Sequence, residues 1–434
     1  MPRQSEALVF PGMLTPTEAA SQITSEIRPL QVVCIPLLDA LDCVLANDVR
    51  SPIDLPAWDN SAMDGYAVRS ADFATAGGRE AGKAGETPVE LRVVEYLPAG
   101  KFPTKALGPG ECTRIFTGAP LPKGADGVIR QEDTTPLEGD RVRIDQTRDL
   151  GKNLRYRGED VRKDSLVLPR GTPLGPAQLG VLASMGESEV FVHSRPRVAF
   201  FGSGDEIADL DERDAILRGR KIASSNTYTL QAMIRRAGAE PVNLGIARDD
   251  PDDLRARVKA AFVTDLLVTS AGLSVGEHDY VLQVLDEVKA TRKFWRIGMR
   301  PGAPVGFGMI GALPWIGLPG NPVSTMVTFE LFVRPAIRKM LGHTNLFRRT
   351  VTVTTGEAIT LGPRLRHFLR AIVKEEDGKL VARLAGPQGS GILTSMAKAN
   401  ALLIVPEDQP EVQPGEPLKA MMLEDPVHTP DPTF

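Results

Sequence analysis

Several carboxylates in this chain stand beside glycine and serine, where there is little apolar surface to bury. GSGDEI (202–207) carries Asp205 and Glu206, and ARDDP (247–251) carries Asp249 and Asp250 ahead of a proline. SAGLSVGEHD (270–279) is a Gly/Ser run with Ser270, Gly272, Ser274 and Gly276 before Glu277 and Asp279. GLPGNPVS (317–324) leads through Pro319 and Gly320 into Asn321 and Pro322. Small residues at a helix start leave unpaired N–H groups and a partial positive charge, which suit a phosphate or a similar oxyanion. Carboxylates beside such an anion would repel it unless a divalent cation bridges them, so the pattern implies Mg²⁺. DNSAMDGYAVR (59–69) adds Asp59 and Asp64, in a stretch whose apolar positions follow neither a helical nor a strand period.

Each motif also has a plainer explanation. Glu277 and Asp279 would complement a helix dipole, Asp249-Asp250-Pro251 would make a helix-entry turn, and DNSAMDGY would make a hydrogen-bonded Asx turn. GSGDEI is not a dinucleotide fingerprint, because Ile207 stands where the last glycine belongs, and GLPGNPVS lacks a P-loop lysine. Convergence favours a site: three ligand-type loops follow neighbouring strands, and an acidic loop lies elsewhere in the chain. The basic candidates are Arg155 in RYRGED and Arg296 and Arg300 in RIGMRPGAP, each in a glycine-containing turn where a forked donor can reach an oxyanion. Arg364 and Arg366 read as solvated faces. The five histidines show no ligand spacing, and no nucleophile elbow or Cys–His pairing appears, so covalent catalysis is not indicated.

Composition bounds these readings. At 434 residues the chain exceeds the size of a single core and calls for several domains. It is 42% hydrophobic and 24% charged, as globular proteins are, and its net charge of −4 argues against a nucleic-acid backbone as partner. No apolar run approaches the ~20 residues of a membrane span. The N-terminus lacks the basic start and apolar core of a signal peptide. Cys34, Cys43 and Cys112 are too few and too scattered for a zinc motif or a disulfide framework. A cytoplasmic protein is expected.

Positioning the loops requires several kinds of element. TPTEAASQITSEI reads as a helix with Thr15 and Glu18 as a capping box and Pro16 at its first position. IPLLDALDCVLANDV reads as mostly helical. ELRVVEYL, ECTRIFTG, GVIRQED and DRVRID alternate with Gly/Pro turns, as in a small β-rich domain, and GTPLGPAQLGVLASMG is a further helix. From residue 196 strands and helices alternate, which predicts right-handed crossovers and a mostly parallel sheet covered on both faces. The last of these elements, NPVSTMVTFELFVRPAIRKMLG, reads as one long helix. After residue 346 the helical signal disappears, and VTVTT, HFLRAIVKE, KLVARLA and NALLIVPE read as strands, with Asp377-Gly378 a hairpin turn. The tail DPVHTPDPTF reads as loose.

With these residues assembled, the chain resembles the molybdopterin molybdenumtransferases, the molybdenum insertases that include the E domain of gephyrin. The resemblance runs from about residue 14 to 423. It is carried by DNSAMDGYAV, RIFTGAPLPKGAD, NLRYRGEDV, LGIARDDP, SVGEHDY, GLPGNPVS and GPQGSG, in that order. It implies a multidomain α/β plus β fold: an elongated subunit with a helical and β-rich N-terminal half, a three-layer α/β domain and a C-terminal β-barrel. The boundaries it suggests are an N-terminal helix (1–27) on the α/β domain, a helical linker domain (28–50 and 160–193), a β-rich domain (51–159), the molybdopterin-binding α/β domain (194–345) and the barrel (346–434). The implied substrates are adenylylated molybdopterin and molybdate, with AMP released and Mg²⁺ required. Asp64, Asp160, Glu206, Asp249 and Asp279 match the family's functional acids, with Glu206 and Asp279 at the metal. Arg155, Arg370 and Ser390 match polar positions lining the site, and Pro319 and Pro322 shape a loop. A homodimer is implied, with the site at the subunit interface and DNSAMDGYAV delivered by the partner chain. Candidate partners are the molybdopterin adenylyltransferase and molybdoenzyme-maturation proteins.

The sequence departs from the family at Ala271, where Gly-Gly is common, and at Arg296 and Arg300, which are often lysine. Ala303 replaces the lysine of a common PGKP sequence. These changes leave open a tungstate-using variant, and a pterin-binding scaffold or regulatory paralogue without turnover.

Overall fold

The computed structural model describes residues 13–74, 88–270, 280–362 and 364–424. The chain divides into two compact units. One comprises Met1–Ala46, Gly171–Gly175 and Glu189–Phe434, the other Asn47–Arg170 and Pro176–Ser188. The tail sequence DPVHTPDPTF lies outside the described residues.

The centre of the first unit is a six-stranded sheet. Its strands are β1 (Arg197–Ser203), β2 (Glu240–Ala247), β3 (Leu266–Ser270), β4 (Thr291–Phe294), β5 (Gly306–Ile310) and β6 (Leu313–Leu318), in the order β2-β1-β3-β6-β5-β4. Strands β2, β1, β3 and β6 pair in parallel, and β5 and β4 add an antiparallel edge. Successive residues of one strand enter different cores. Val198 and Phe200 pack with helices Pro16–Glu26, Ser225–Arg236 and the 322–340 segment, while Ala199 and Phe201 pack with Pro251–Ala260 and Tyr280–Glu287. A sheet buried on both faces explains the near-continuous apolar strands, and three layers result.

The first helix begins as the sequence requires. Glu18 N–H donates to Thr15 Oγ1 (3.2 Å), and Thr15 N–H donates to the Glu18 carboxylate (2.8 Å). The helix buries Ala19 and Ile23.

Two helical expectations are corrected. The segment 35–49 is a strand (Val32–Pro36) that pairs with Glu189–His193, followed by a three-residue 3₁₀ turn (Leu37–Asp39), bridges at Val44 and Leu45, and a short strand Val49–Arg50. Asp42 adopts a left-handed conformation (φ 64°) that ends any helix there, and its apolar neighbours are buried by strand pairing instead. The long helix after Asn321 contains a π segment, Phe329–Val333, between α-helical turns Pro322–Thr328 and Arg334–Met340. Pro335 has no N–H to give to the preceding turn, and the wider turn accommodates it.

The C-terminal part of this unit is a closed five-stranded barrel of Thr350–Thr355, Arg366–Glu376, Lys379–Leu384, Ala401–Val405 and Pro417–Met422. Asp377 (φ 50°) and Gly378 (φ 74°) form the hairpin turn between paired Glu376 and Lys379. Contrary to the strand-only expectation, a short helix, Leu393–Lys398, follows the GPQGSG loop.

In the second unit a mixed sheet runs Gly127–Arg130, Gly65–Val68, Glu111–Ile115, Val89–Leu97, Arg141–Ile144, Thr134–Leu137. Gly65–Val68 is an inner strand with all four residues buried. DNSAMDGYAV therefore buries its second half, against the sequence reading. The period was hidden because both faces of that strand are covered. A Cβ on Gly65 would lie 1.9 Å from Ile129 O, so only glycine permits the close strand approach.

Ile23 has no exposed surface and sits where the first helix meets the sheet's core. Ile23→Ala is expected to cost about 2–5 kcal/mol. Urea unfolding followed by tryptophan fluorescence, to which Trp295 and Trp315 contribute, should show a lower midpoint.

Candidate functional site

In the first unit the loops leaving β1 and β2 meet at their carboxyl ends. Asp205 N–H donates to Asp249 Oδ2 (3.3 Å), and Asp249 N–H donates to Asp205 Oδ1 (3.4 Å). Lys221 Nζ donates to Asp205 O. Gly204 (φ 136°) lets the chain fold so that the Glu206 carboxylate covers it, and a Cβ there would stand 2.7 Å from Glu206 Oε1. Glu206 and Asp249 are exposed. The neighbouring Asp250 has the plainer role: it caps the helix at Pro251, accepting from Asp253 N–H (3.1 Å).

Ser270, at the end of β3, is buried, and its Oγ accepts from Asn226 Nδ2 (2.7 Å). The same Nδ2 donates to Gly320 O (2.8 Å) in the loop after β6. Thr325 Oγ1 fastens that loop by donating to Pro319 O (2.6 Å) and Asn321 O (3.0 Å). Gly272, Ser274, Gly276 and Asp279, with Ala271 and Glu277, lie outside the described residues.

The helix start after Asn321 offers fewer free amides than its sequence suggests. Pro322 has none, and Val323 N–H donates to Ser390 O (3.1 Å) of the barrel's GPQGSG loop. Asn321 occupies the cap position but makes no side-chain cap bond.

Arg370 holds the GPQGSG loop from beneath. It is fully buried, with Nε on Ser395 Oγ (3.1 Å) and Nη2 on Pro387 O (3.1 Å) and Gly389 O (3.0 Å). Gln388 bonds both its N–H and its carbonyl. Nη1 is buried without a partner among the described residues, and burial pulls the group below the ordinary arginine pKa. Arg296 and Arg300 are exposed, and neither has an ion-pair partner among the described residues. Their loop is closed by Ile297 N–H and Val305 N–H, both donating to Ala303 O. Arg366, expected to be solvated, is half-buried and pairs with Glu407 (3.1 Å).

The second unit gathers three motifs. Asn60–Ser61 of DNSAMDGYAV pairs with Leu154–Arg155 of NLRYRGEDV. Gly118 N–H and Ser61 N–H tie RIFTGAPLPKGAD to the same ribbon, donating to Ser61 O (2.8 Å) and Ala119 O (3.0 Å). Asp64 Oδ1 accepts from Thr117 N–H (2.8 Å) and Thr117 Oγ1 (2.7 Å). These bonds, then the Arg114 charge, hold its carboxyl below the usual value. Arg114 is itself fixed between the Tyr66 and Phe116 rings, 5.0 and 4.8 Å from their centroids. Asp59 accepts from Arg157 N–H (2.7 Å), and Arg157 pairs with Asp54. Arg155 and Asp160 are exposed.

The structure thus brings Asp205, Glu206 and Asp249 together, and separately sets the Asn60–Ser61 ribbon of the Asp64 motif against Leu154–Arg155. Sequence reasoning missed Thr117, Arg114 and Asn226. Thr117 and Arg114 lay in the quoted RIFTG motif, and Asn226 gave no signal beyond its place at a helix start.

Three family patterns match the chain: the MoeA N-terminal region (domain I and II) over residues 14–186, a probable molybdopterin binding domain over 200–339 and the MoeA C-terminal region (domain IV) over 352–423. The chain belongs to the molybdopterin molybdenumtransferase family. A molybdopterin molybdenumtransferase of Nostoc is 36% identical over 386 residues, covering 88% of this chain and 86% of that one. Molybdopterin molybdenumtransferase 2 of Mycobacterium tuberculosis is 36% identical over 403 residues, covering 92% and 96%. The crystal structure of a molybdopterin biosynthesis moeA protein from Pyrococcus horikoshii superposes with a TM-score of 0.78 at 28% identity, covering 94% of this chain and all of that one. This is an enzyme of molybdenum cofactor biosynthesis, and no helix of the described residues is long and apolar enough to cross a membrane.

Thr117→Val would leave Asp64 only the backbone donor, and the Asp64 pKa is expected to rise toward its ordinary value. Because the folded pKa is depressed, the contribution to stability is full above the unfolded value of about 3.9 and is lost as pH falls through the folded one. Carboxyl ¹³C titration of wild type and variant should show the upward shift; coincident curves would contradict it.

Proposed function

We propose that the enzyme transfers molybdenum from molybdate to the dithiolene of adenylylated molybdopterin and hydrolyses the adenylate, releasing AMP, as a cytoplasmic homodimer whose site lies at the subunit interface. The observation that carries this reading is the joined Asp205–Glu206–Asp249 loop pair at the carboxyl ends of parallel strands, where α/β sheets bind ligands. Family membership supports a molybdopterin-related substrate.

Glu206 and Asp249 present hard oxygen donors, the class Mg²⁺ takes. Among the described residues no three acidic, histidine or cysteine side chains gather at ligating distance. In our reading Glu206 and Asp279 hold the ion, the rest of its shell being substrate phosphate and water, and the ion neutralises charge on the phosphoanhydride. Asp249 orients the Glu206 loop and, with Glu206, is placed to take a proton from an attacking water. Ser270, Gly272, Ser274 and Gly276 line the phosphate end, with Pro319, Gly320, Asn321 and Pro322 shaping the loop beside it. Arg296, Arg300 and the spare Nη1 of Arg370 are the cations for molybdate, and Ser390 closes that side by holding the helix start. Asp64, its carboxyl held below the usual pKa by Thr117, acts with Arg155 and Asp160 from the partner chain.

Incubating the protein with adenylylated molybdopterin, molybdate and Mg²⁺ should yield molybdenum cofactor and AMP. Asp64→Ala and Glu206→Ala are each expected to lower turnover by about 100-fold or more. Mixed after subunit exchange, the two inactive variants should regain activity, because one site of the heterodimer is intact. A full-rate Asp64→Ala enzyme, or no regain on mixing of demonstrably exchanged subunits, would overturn the residue roles or the shared site respectively.

A further inference from the structure

We infer that Asn226 is a substrate-binding residue, whose amide nitrogen joins two loops of the site and whose amide oxygen accepts an N–H or O–H from the adenylate part of the ligand. The inference rests on the function proposed above.

Asn226 lies in the first turn of the helix Ser225–Arg236, just after the short strand Ile222–Ala223. That strand is tied to the acidic loop: Ile222 N–H donates to Glu206 O (2.9 Å), and Ser224 N–H donates to Ala208 O (2.9 Å). From there Asn226 Nδ2 uses both of its hydrogens, one on Ser270 Oγ (2.7 Å) at the end of β3 and one on Gly320 O (2.8 Å) after β6. The acidic loop, the end of β3 and the loop after β6 are thus linked through this one position.

The orientation of the amide follows from its partners. A backbone carbonyl only accepts, so the atom facing Gly320 O must be the nitrogen. The oxygen Oδ1 then points elsewhere, is inaccessible to solvent and has no hydrogen-bond partner among the described residues. A buried acceptor left unpaired costs on the order of 1–3 kcal/mol, which a ligand donor removes on binding. Adenosine supplies such donors in its ribose hydroxyls and its exocyclic amine, while molybdate at neutral pH has none. Molybdate is thus excluded as the partner; the organic part of the substrate supplies the donor, and our assignment to its adenosine is what AMP binding tests.

The test is AMP binding by calorimetry, with Mg²⁺ present, together with steady-state kinetics on adenylylated molybdopterin. Asn226→Ala is expected to weaken AMP binding about tenfold and to raise KM by a similar factor, with kcat within about threefold of wild type. Asn226→Asp places an oxygen against Gly320 O and should lose at least as much affinity, and it serves as the measured variant should the alanine form fail to fold. Molybdate binding should be unchanged in both. Wild-type AMP affinity in either folded variant, or a loss confined to kcat, would overturn the assignment while leaving the proposed reaction standing. Absence of AMP binding by the wild-type enzyme would remove the reaction and this assignment together.

Discussion

Parallel pairing of β2, β1, β3 and β6 sends four chains out of the sheet at the same edge. Each exit must turn sharply into a crossover, and none of the turning residues can be bulky and apolar without losing its burial. The edge therefore fills with Gly, Ser, Asp and Pro, the residue types that turn a chain and also donate to anions or accept from cations. Chemistry and topology make the same demand here. That coincidence explains why Asp250 is only a cap while Asp249, next to it, reaches across to Asp205.

The barrel adds a second constraint. Arg370 is buried in it without a carboxylate, its charge spread over carbonyls and one hydroxyl. An uncompensated guanidinium costs stability unless something recovers it, and replacing it with an apolar side chain would normally be tolerated or favourable. What Arg370 does is fix the GPQGSG loop, whose Ser390 carbonyl occupies the Val323 N–H. The helix start is thus held by protein, while Arg296 and Arg300 are exposed and have no acidic partner among the described residues. In the function proposed here the cations for the oxyanion are arginines, whose planar forks favour two-point contact over the point charge of a lysine.

Much of this was legible in the sequence, for identifiable reasons. The Thr15 capping box, the Asp377-Gly378 turn and the α/β alternation all depend on contacts within a few residues, so local patterns report them. The segment 35–49 misled because its apolar spacing is compatible with a helix, while its burial comes from partners more than a hundred residues away, at Pro173 and Val192. Gly65–Val68 was hidden for the opposite reason: covered on both faces, it shows no alternation. Among the site residues, the acids were found because carboxylates without a core role stand out. Thr117 and Asn226 were missed because a threonine after a strand and an asparagine at a helix start are ordinary, and only the distances to Asp64, Ser270 and Gly320 make them otherwise.

Each acidic cluster is ordered by contacts within its own compact unit. Thr117 and Arg114 hold the Asp64 carboxyl below its usual pKa, and Asp205 and Asp249 tie their loops together through each other's amides. Carboxylates arranged in this way hold their geometry before any ligand arrives, which is the preorganisation that electrostatic binding favours. The cost is like-charge repulsion among Asp205, Glu206 and Asp249, which the amide bonds across the two loops offset.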